Sequence, residues 1–192
     1  MLRSILNNRL LFCLLLAIPA AALVFDFGAG GYDGARMLEP TGEFAVRMMV
    51  IAMMIGPALD LFGRRGWLLW LQARRRYLGV GAFSYALLHF IFYVVDMGAL
   101  TEMLAEIDAP GIWTGYLAFI LMMIVAMISN NASMRWLKRA WKQTQRLAYP
   151  AAALTAAHWI FLEWETIPAI VHFGPLLALN LARVIKLKGQ KA

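Results

Sequence analysis

Six long apolar runs, each closed by charged or turn-forming residues, leave this chain few ways to fold. They cover about residues 10–25, 44–62, 77–97, 113–130, 147–164 and 169–185. A helix needs about 20 apolar residues to cross the ~30 Å hydrocarbon layer of a bilayer, and each run approaches that length. The punctuation between them is explicit. Asp26 and the glycine-rich turn 28–34 close the first run, and Thr41 reads as the N-cap of the second helix. Asp108-Ala109-Pro110-Gly111 precedes the fourth, and Pro168 marks a break between the fifth and sixth. Hydrophobic residues make up 62% of the 192, and charged residues only 15%. A soluble domain of this size cannot hide so much apolar surface. The chain reads as an all-α integral membrane protein, a single domain over 1–192 built as a bundle of six transmembrane helices. A soluble enzyme, a disordered chain and a disulfide scaffold are excluded. Cys13 is the only cysteine, so there is no internal disulfide and no c-type haem attachment. The first run has a rival reading as a signal peptide, with Arg3 and Arg9 ahead of it and Ala20-Ala21-Ala22 as a small-residue cleavage site.

Charge gives the orientation. Of the 18 basic residues, 16 fall at the N-terminus, in the segments 63–76 and 132–146, or from Arg183 onward. The opposite side keeps only Arg36 and Arg47, together with every acid except Asp60. The positive-inside rule then makes both termini cytoplasmic. The net charge of +7 is thereby accounted for by loops facing anionic headgroups of the lipid bilayer, and no nucleic acid is needed.

Ionisable groups within a bilayer are costly, which directs attention to the histidines. His89 lies twelve residues into the third run and His158 eleven into the fifth, about 18 and 16 Å from the same face at 1.5 Å per residue. Two imidazoles at one depth on different helices are what a bis-imidazole b-type haem requires. Small residues before each (Gly79, Gly81, Ala82, Ser84; Ala151 to Ala153, Ala156, Ala157) leave room for the macrocycle. The competing reading of each histidine is an interhelical hydrogen-bonding group, and of the small residues, close helix packing. His172, a few residues into the sixth run, reads as an interfacial side chain and an alternate ligand. Gly79-Val80-Gly81 reads as packing rather than a nucleotide loop. Glu163 and Glu165 mark the outer interface beside Trp164, and the methionines of the second and fourth runs are packing residues.

Certain residues carry a family resemblance. They are Thr41-Gly42 with Ala45, Pro57, Arg75-Arg76-Tyr77-Leu78-Gly79, Ala82-Phe83-Ser84-Tyr85, Leu88-His89 and Tyr93, then Gly115-Tyr116, Met134-Arg135-Trp136-Leu137, Trp141, Leu147, Tyr149 and His158. In order and spacing the chain resembles the MsrQ (YedZ) family over residues 38–186. That family is the haem-binding membrane subunit of the periplasmic methionine sulfoxide reductase system, and it belongs to the ferric-reductase-like transmembrane domains. The resemblance implies a multi-pass protein of the bacterial inner membrane that passes electrons through haem b to a periplasmic molybdopterin reductase. The donor would be a cytoplasmic flavin reductase or membrane quinol. His89 and His158 match two of the family's haem histidines. A third falls, in the family, where this chain has Gln145, which leaves one haem expected here instead of two. Arg75 and Arg76 lie near that inner level and would contact propionates, FMN or a quinone, or act simply as positive-inside anchors. The chain has no room for a flavin or nicotinamide domain, so it reads as an electron-transfer subunit rather than a self-contained enzyme. The alternatives are a haem-free membrane scaffold or assembly protein that keeps the fold and, third, a transporter.

Overall fold

The computed structural model describes residues 8–163 and 166–189. Among them there is no strand. The helices in chain order are α1 (Arg9–Gly28), α2 (Gly34–Phe62), α3 (Gly66–Met97), α4 (Leu100–Ala105), α5 (Pro110–Met127), α6 (Asn131–Leu137), α7 (Arg139–Gln145), α8 (Ala148–Glu163) and α9 (Thr166–Gly189). Five of these, α1, α2, α3, α5 and α9, are long and apolar enough to cross a membrane. The sixth expected span corresponds to α8, whose 16 described residues extend about 24 Å.

Several boundaries differ from the sequence reading. Helix α2 starts ten residues before the apolar run, with Asp33 as its N-cap accepting from the Arg36 amide at 3.0 Å. Thr41 is therefore not a cap. It is fully buried inside the helix, and its hydroxyl donates to the Met37 carbonyl at 2.6 Å. Pro40 sits within the same stretch. A proline cannot donate to the preceding turn, and the Thr41 hydroxyl supplies a donor close by. The segment 63–76 is not a loop either. Helix α3 begins at Gly66 and runs 32 residues, about 48 Å, longer than the hydrocarbon layer is thick. Arg74 is buried on that extension, its guanidinium 4.0 Å from the Trp70 ring centre. The segment 132–146 folds as α6 and α7, joined at Lys138 with φ of 48°. Pro168 lies in the first turn of α9, where a missing amide is tolerated. The α8–α9 junction, with Trp164, Glu165 and the side chain of Glu163, falls outside the described residues.

The core lies where α2 packs on α3 and α9, and where α5 packs on α8. Helix α2 has the most extensive buried face, including Met48, Met49 and Met53; the methionines fill the interior, as unbranched side chains do. Gly81 lets α3 approach it, since a Cβ there would stand 2.9 Å from the Met48 sulfur. Helix α1 lies at the edge, with Phe12 its only buried residue. The Tyr85 hydroxyl holds it, donating to the Leu16 carbonyl and accepting from the Ala20 amide, both at 2.9 Å. Elsewhere Phe25, Ile167 and Ile185 are each more than 70% exposed, the outward-facing apolar surface of a bundle solvated by lipid.

The charges gather at opposite ends of this bundle. Arg183 pairs with Asp60 at 2.7 Å and Lys186 caps the Asp60 and Leu61 carbonyls, joining the ends of α9 and α2. Arg76 donates to Asn131 at 2.6 Å, joining α3 to α6.

Candidate functional site

Between α2, α3, α5 and α8 lies a cavity of about 410 Å³. His89 of α3 and His158 of α8 both line it, with ring centres 6.2 Å apart and ring planes at 89°. The depth inferred from the sequence thus corresponds to side chains that meet. One end of the cavity is apolar, with Val46, Met49 and Met122 in its wall; Glu39, Glu43, Asp96 and Glu106 line it too.

Each imidazole is held in the same way. His89 Nδ1 lies 2.9 Å from the Leu38 carbonyl oxygen, and His158 Nδ1 lies 2.6 Å from the Gly111 carbonyl oxygen. A carbonyl can only accept, so in both rings Nδ1 carries the proton and Nε2 carries the lone pair. This is the arrangement by which a second polar group orients a metal-binding histidine. Three residues beyond each accepting carbonyl stands a buried threonine. The Thr41 hydroxyl donates to the Met37 carbonyl and reaches that of Leu38 at 3.1 Å; the Thr114 hydroxyl reaches those of Pro110 at 2.6 Å and Gly111 at 2.9 Å. The next residue is glycine in both cases, and each glycine faces its ring. A Cβ on Gly42 would stand 3.3 Å from His89 Nδ1, and one on Gly115 only 2.5 Å from His158 Nδ1. Leu38-x-x-Thr41-Gly42 on α2 and Gly111-x-x-Thr114-Gly115 on α5 are two copies of one cradle.

The sequence reading missed this cradle. Its signal was the recurring Thr-Gly pair, strengthened on α5 by the Gly111-x-x-x-Gly115 spacing that lets membrane helices approach closely.

His172 is not part of the cavity wall. Its Nδ1 donates to the Pro168 carbonyl at 2.8 Å, its Nε2 accepts from Arg47 Nε at 3.4 Å, and its ring lies 5.0 Å from that of Trp159. Both nitrogens are engaged, and the residue stands behind Trp159. Arg47 is in turn paired with Glu43 at 2.6 Å.

Arg75 and Arg76 line a second cavity, of about 840 Å³. Arg9, Lys142, Arg146 and Arg183 also line it, so the basic segments converge on one space. Gln145 stands in its wall with its amide nitrogen 3.1 Å from Ser129 Oγ and 3.4 Å from the Val125 carbonyl. Met49 and Met122 belong to the walls of both cavities, which therefore adjoin.

Comparison with known proteins gives a single answer. Residues 41–156 match the family described as ferric reductase like transmembrane component. A protein of Brucella anthropi is 35% identical over 175 residues, covering 86% of this chain and 77% of the relative. Its name is protein-methionine-sulfoxide reductase heme-binding subunit MsrQ. Proteins of the same name from Brucella ovis and Brucella canis are 34% identical over the same shares. No solved structure matches the chain.

Proposed function

Because the chain belongs to the MsrQ family, among the ferric reductase like transmembrane components, we propose that it binds one haem b between His89 and His158 and serves as a membrane electron-transfer subunit. The observation that carries this reading is the pair of cradled imidazoles. Two nitrogens bonded to one iron from opposite sides, at about 2 Å each and about 1.1 Å from their ring centres, place those centres roughly 6 Å apart. The 6.2 Å separation fits that requirement, and the tautomer imposed by Leu38 and Gly111 presents the ligating nitrogen. When bound there, haem supplies a one-electron carrier within the bilayer.

The protein's own residues do the remaining work. The Leu38 and Gly111 carbonyls hold the imidazole protons at Nδ1, Gly42 and Gly115 admit the rings, and Val46, Met49 and Met122 keep water from the inner end. In this reading α8 completes a six-span bundle, a single domain over 1–192, with both termini and the basic cavity on the cytoplasmic side of the bacterial inner membrane. Gln145 provides no imidazole at the inner level, and its amide is engaged with Ser129, so the inner cavity takes no second haem. Arg75 and Arg76 there receive FMN or a quinone instead, fed by a cytoplasmic flavin reductase or by membrane quinol. The acceptor is a periplasmic, MsrP-like molybdopterin reductase serving methionine sulfoxide repair.

The test is the absorption spectrum of the purified protein before and after dithionite. Reducible b-type Soret and alpha bands are expected, with a haem-to-protein ratio near one by pyridine haemochrome. A chain without these bands is the haem-free scaffold instead. Because His172 stands outside the cavity, His172→Ala is expected to leave band positions and haem content unchanged. A shift of either would make it a ligand.

A further inference from the structure

The geometry points to residues 98–109 as the docking surface for the electron acceptor, a protein that presents an apolar patch beside lysine or arginine side chains. This rests on the reading of the chain as a haem electron-transfer subunit. Arg76 and Met97 stand 21 residues apart on α3, about 32 Å along the axis, which matches the ~30 Å hydrocarbon layer. The chain past Met97 therefore stands outside that layer, at the end opposite the arginines. Gly98, with φ of 68°, closes α3, and α4 follows before Pro110 opens α5.

Helix α4 has no buried residue. Leu100, Leu104 and Ile107 are 68%, 55% and 44% exposed. Leu100 and Leu104 share one face of α4, and Ile107 continues that face in the turn beyond it. An apolar patch of this kind, outside the hydrocarbon layer and bare, marks an interaction surface. Charge decides what covers it. Helices that lie on a bilayer carry lysine and arginine on their polar side. Here the charged residues are Glu102, Glu106 and Asp108, and no lysine or arginine occurs between Arg76 and Arg135. Anionic headgroups repel such a segment, whereas a protein with cations beside its apolar patch is complementary to it. The position also suits an electron acceptor. Glu106 belongs to this segment and lines the cavity that holds His89 and His158. A protein seated on Leu100 and Leu104 thus lies beside the wall of the haem cavity.

The test uses the full chain in nanodiscs with its haem reduced, mixed with the purified MsrP-like reductase and methionine sulfoxide, and follows haem oxidation. Leu104→Ser is expected to raise the reductase concentration for half-maximal rate about tenfold, through lost apolar burial. Asp108→Lys should slow association and flatten its dependence on salt. Oxidation by benzoquinone, a small neutral oxidant that needs no docking surface, is expected at the wild-type rate in both, with haem bands unchanged. Unaltered oxidation by the reductase in either variant would overturn the inference and leave this face to lipid. A slowing that benzoquinone shares would also overturn it, because the effect would then lie at the haem. A wild-type chain without haem overturns the haem-binding reading and this inference with it. Wild-type haem that benzoquinone oxidises and the reductase does not overturns the docking surface alone.

Discussion

Replacing His158 by Ala is expected to abolish the low-spin haem spectrum altogether. The substitution removes one of two imidazoles whose ring centres lie 6.2 Å apart, and neither the remaining histidine, His172, nor the adjoining Thr155 is placed to take its role. His172 is turned away behind Trp159 with both ring nitrogens engaged. Thr155 has its hydroxyl bonded to the Ala151 carbonyl at 2.8 Å. The variant should therefore purify with a five-coordinate, high-spin haem or with none, and His89→Ala should behave alike, since the two cradles are equivalent. The space left by the side chain is open to a small ligand, as cavities cut by truncation are. Added imidazole is expected to restore the low-spin bands in His158→Ala. Retention of a low-spin spectrum without imidazole would mean that another residue ligates the iron. The measurement is the absorption spectrum of the ferric and ferrous variant, titrated with imidazole.

The second large effect is expected at a residue with no functional group. A Cβ on Gly115 would stand 2.5 Å from His158 Nδ1 and 2.7 Å from its Cε1, so the ring or the helix must move. The same ring edge makes the 2.6 Å contact with the Gly111 carbonyl, and displacing it loosens the anchor as well. Overpacking of this kind costs about 1–3 kcal/mol, and if borne by the haem-bound state it lowers haem affinity roughly five- to 150-fold. Gly115→Ala should bind haem weakly and Gly115→Val should bind almost none. Gly66→Ala is the control, because a Cβ there meets nothing within 4 Å and Gly66 lines neither cavity, and it should retain full occupancy. Haem occupancy by pyridine haemochrome, set against a thermal melt of each variant, separates a disturbed site from a misfolded protein. Full occupancy in Gly115→Val would show that the close approach of α5 to His158 is not required.

Much of this architecture was legible in the sequence because a membrane imposes a coarse, one-dimensional code. The apolar runs fall on α1, α2, α3, α5, α8 and α9, five of which are long and apolar enough to span, and depth alone singles out the two histidines whose rings lie 6.2 Å apart. The errors came where polar residues continue a helix. Nothing apolar marks residues 34–43 or 66–76 as helical, yet α2 and α3 include them, because Asp33 caps one and the aromatic face of Trp70 shelters Arg74 in the other. Thr41 looked like a cap for the same reason that it serves inside the helix, namely a short hydroxyl that bonds backbone carbonyls.

The site was less legible than the fold. Its histidines carry distinctive side chains, but their partners are the Leu38 and Gly111 carbonyls, and every residue has a carbonyl. Gly42 and Gly115 act through a missing atom. Only the comparison of the two cradles shows that Thr41-Gly42 and Thr114-Gly115 perform one task twice. Gln145 was legible as a departure, and its engagement with Ser129 and Val125 gives that departure a structural form.

The central claim is that one haem is held by His89 and His158 alone, and the most direct measurement is the electron paramagnetic resonance spectrum of the ferric protein. Two imidazoles with planes at 89° predict a single low-spin species of the highly anisotropic type that near-perpendicular axial imidazoles produce, integrating to about one spin per chain. A dominant high-spin signal, or a second low-spin species in comparable amount, would contradict it.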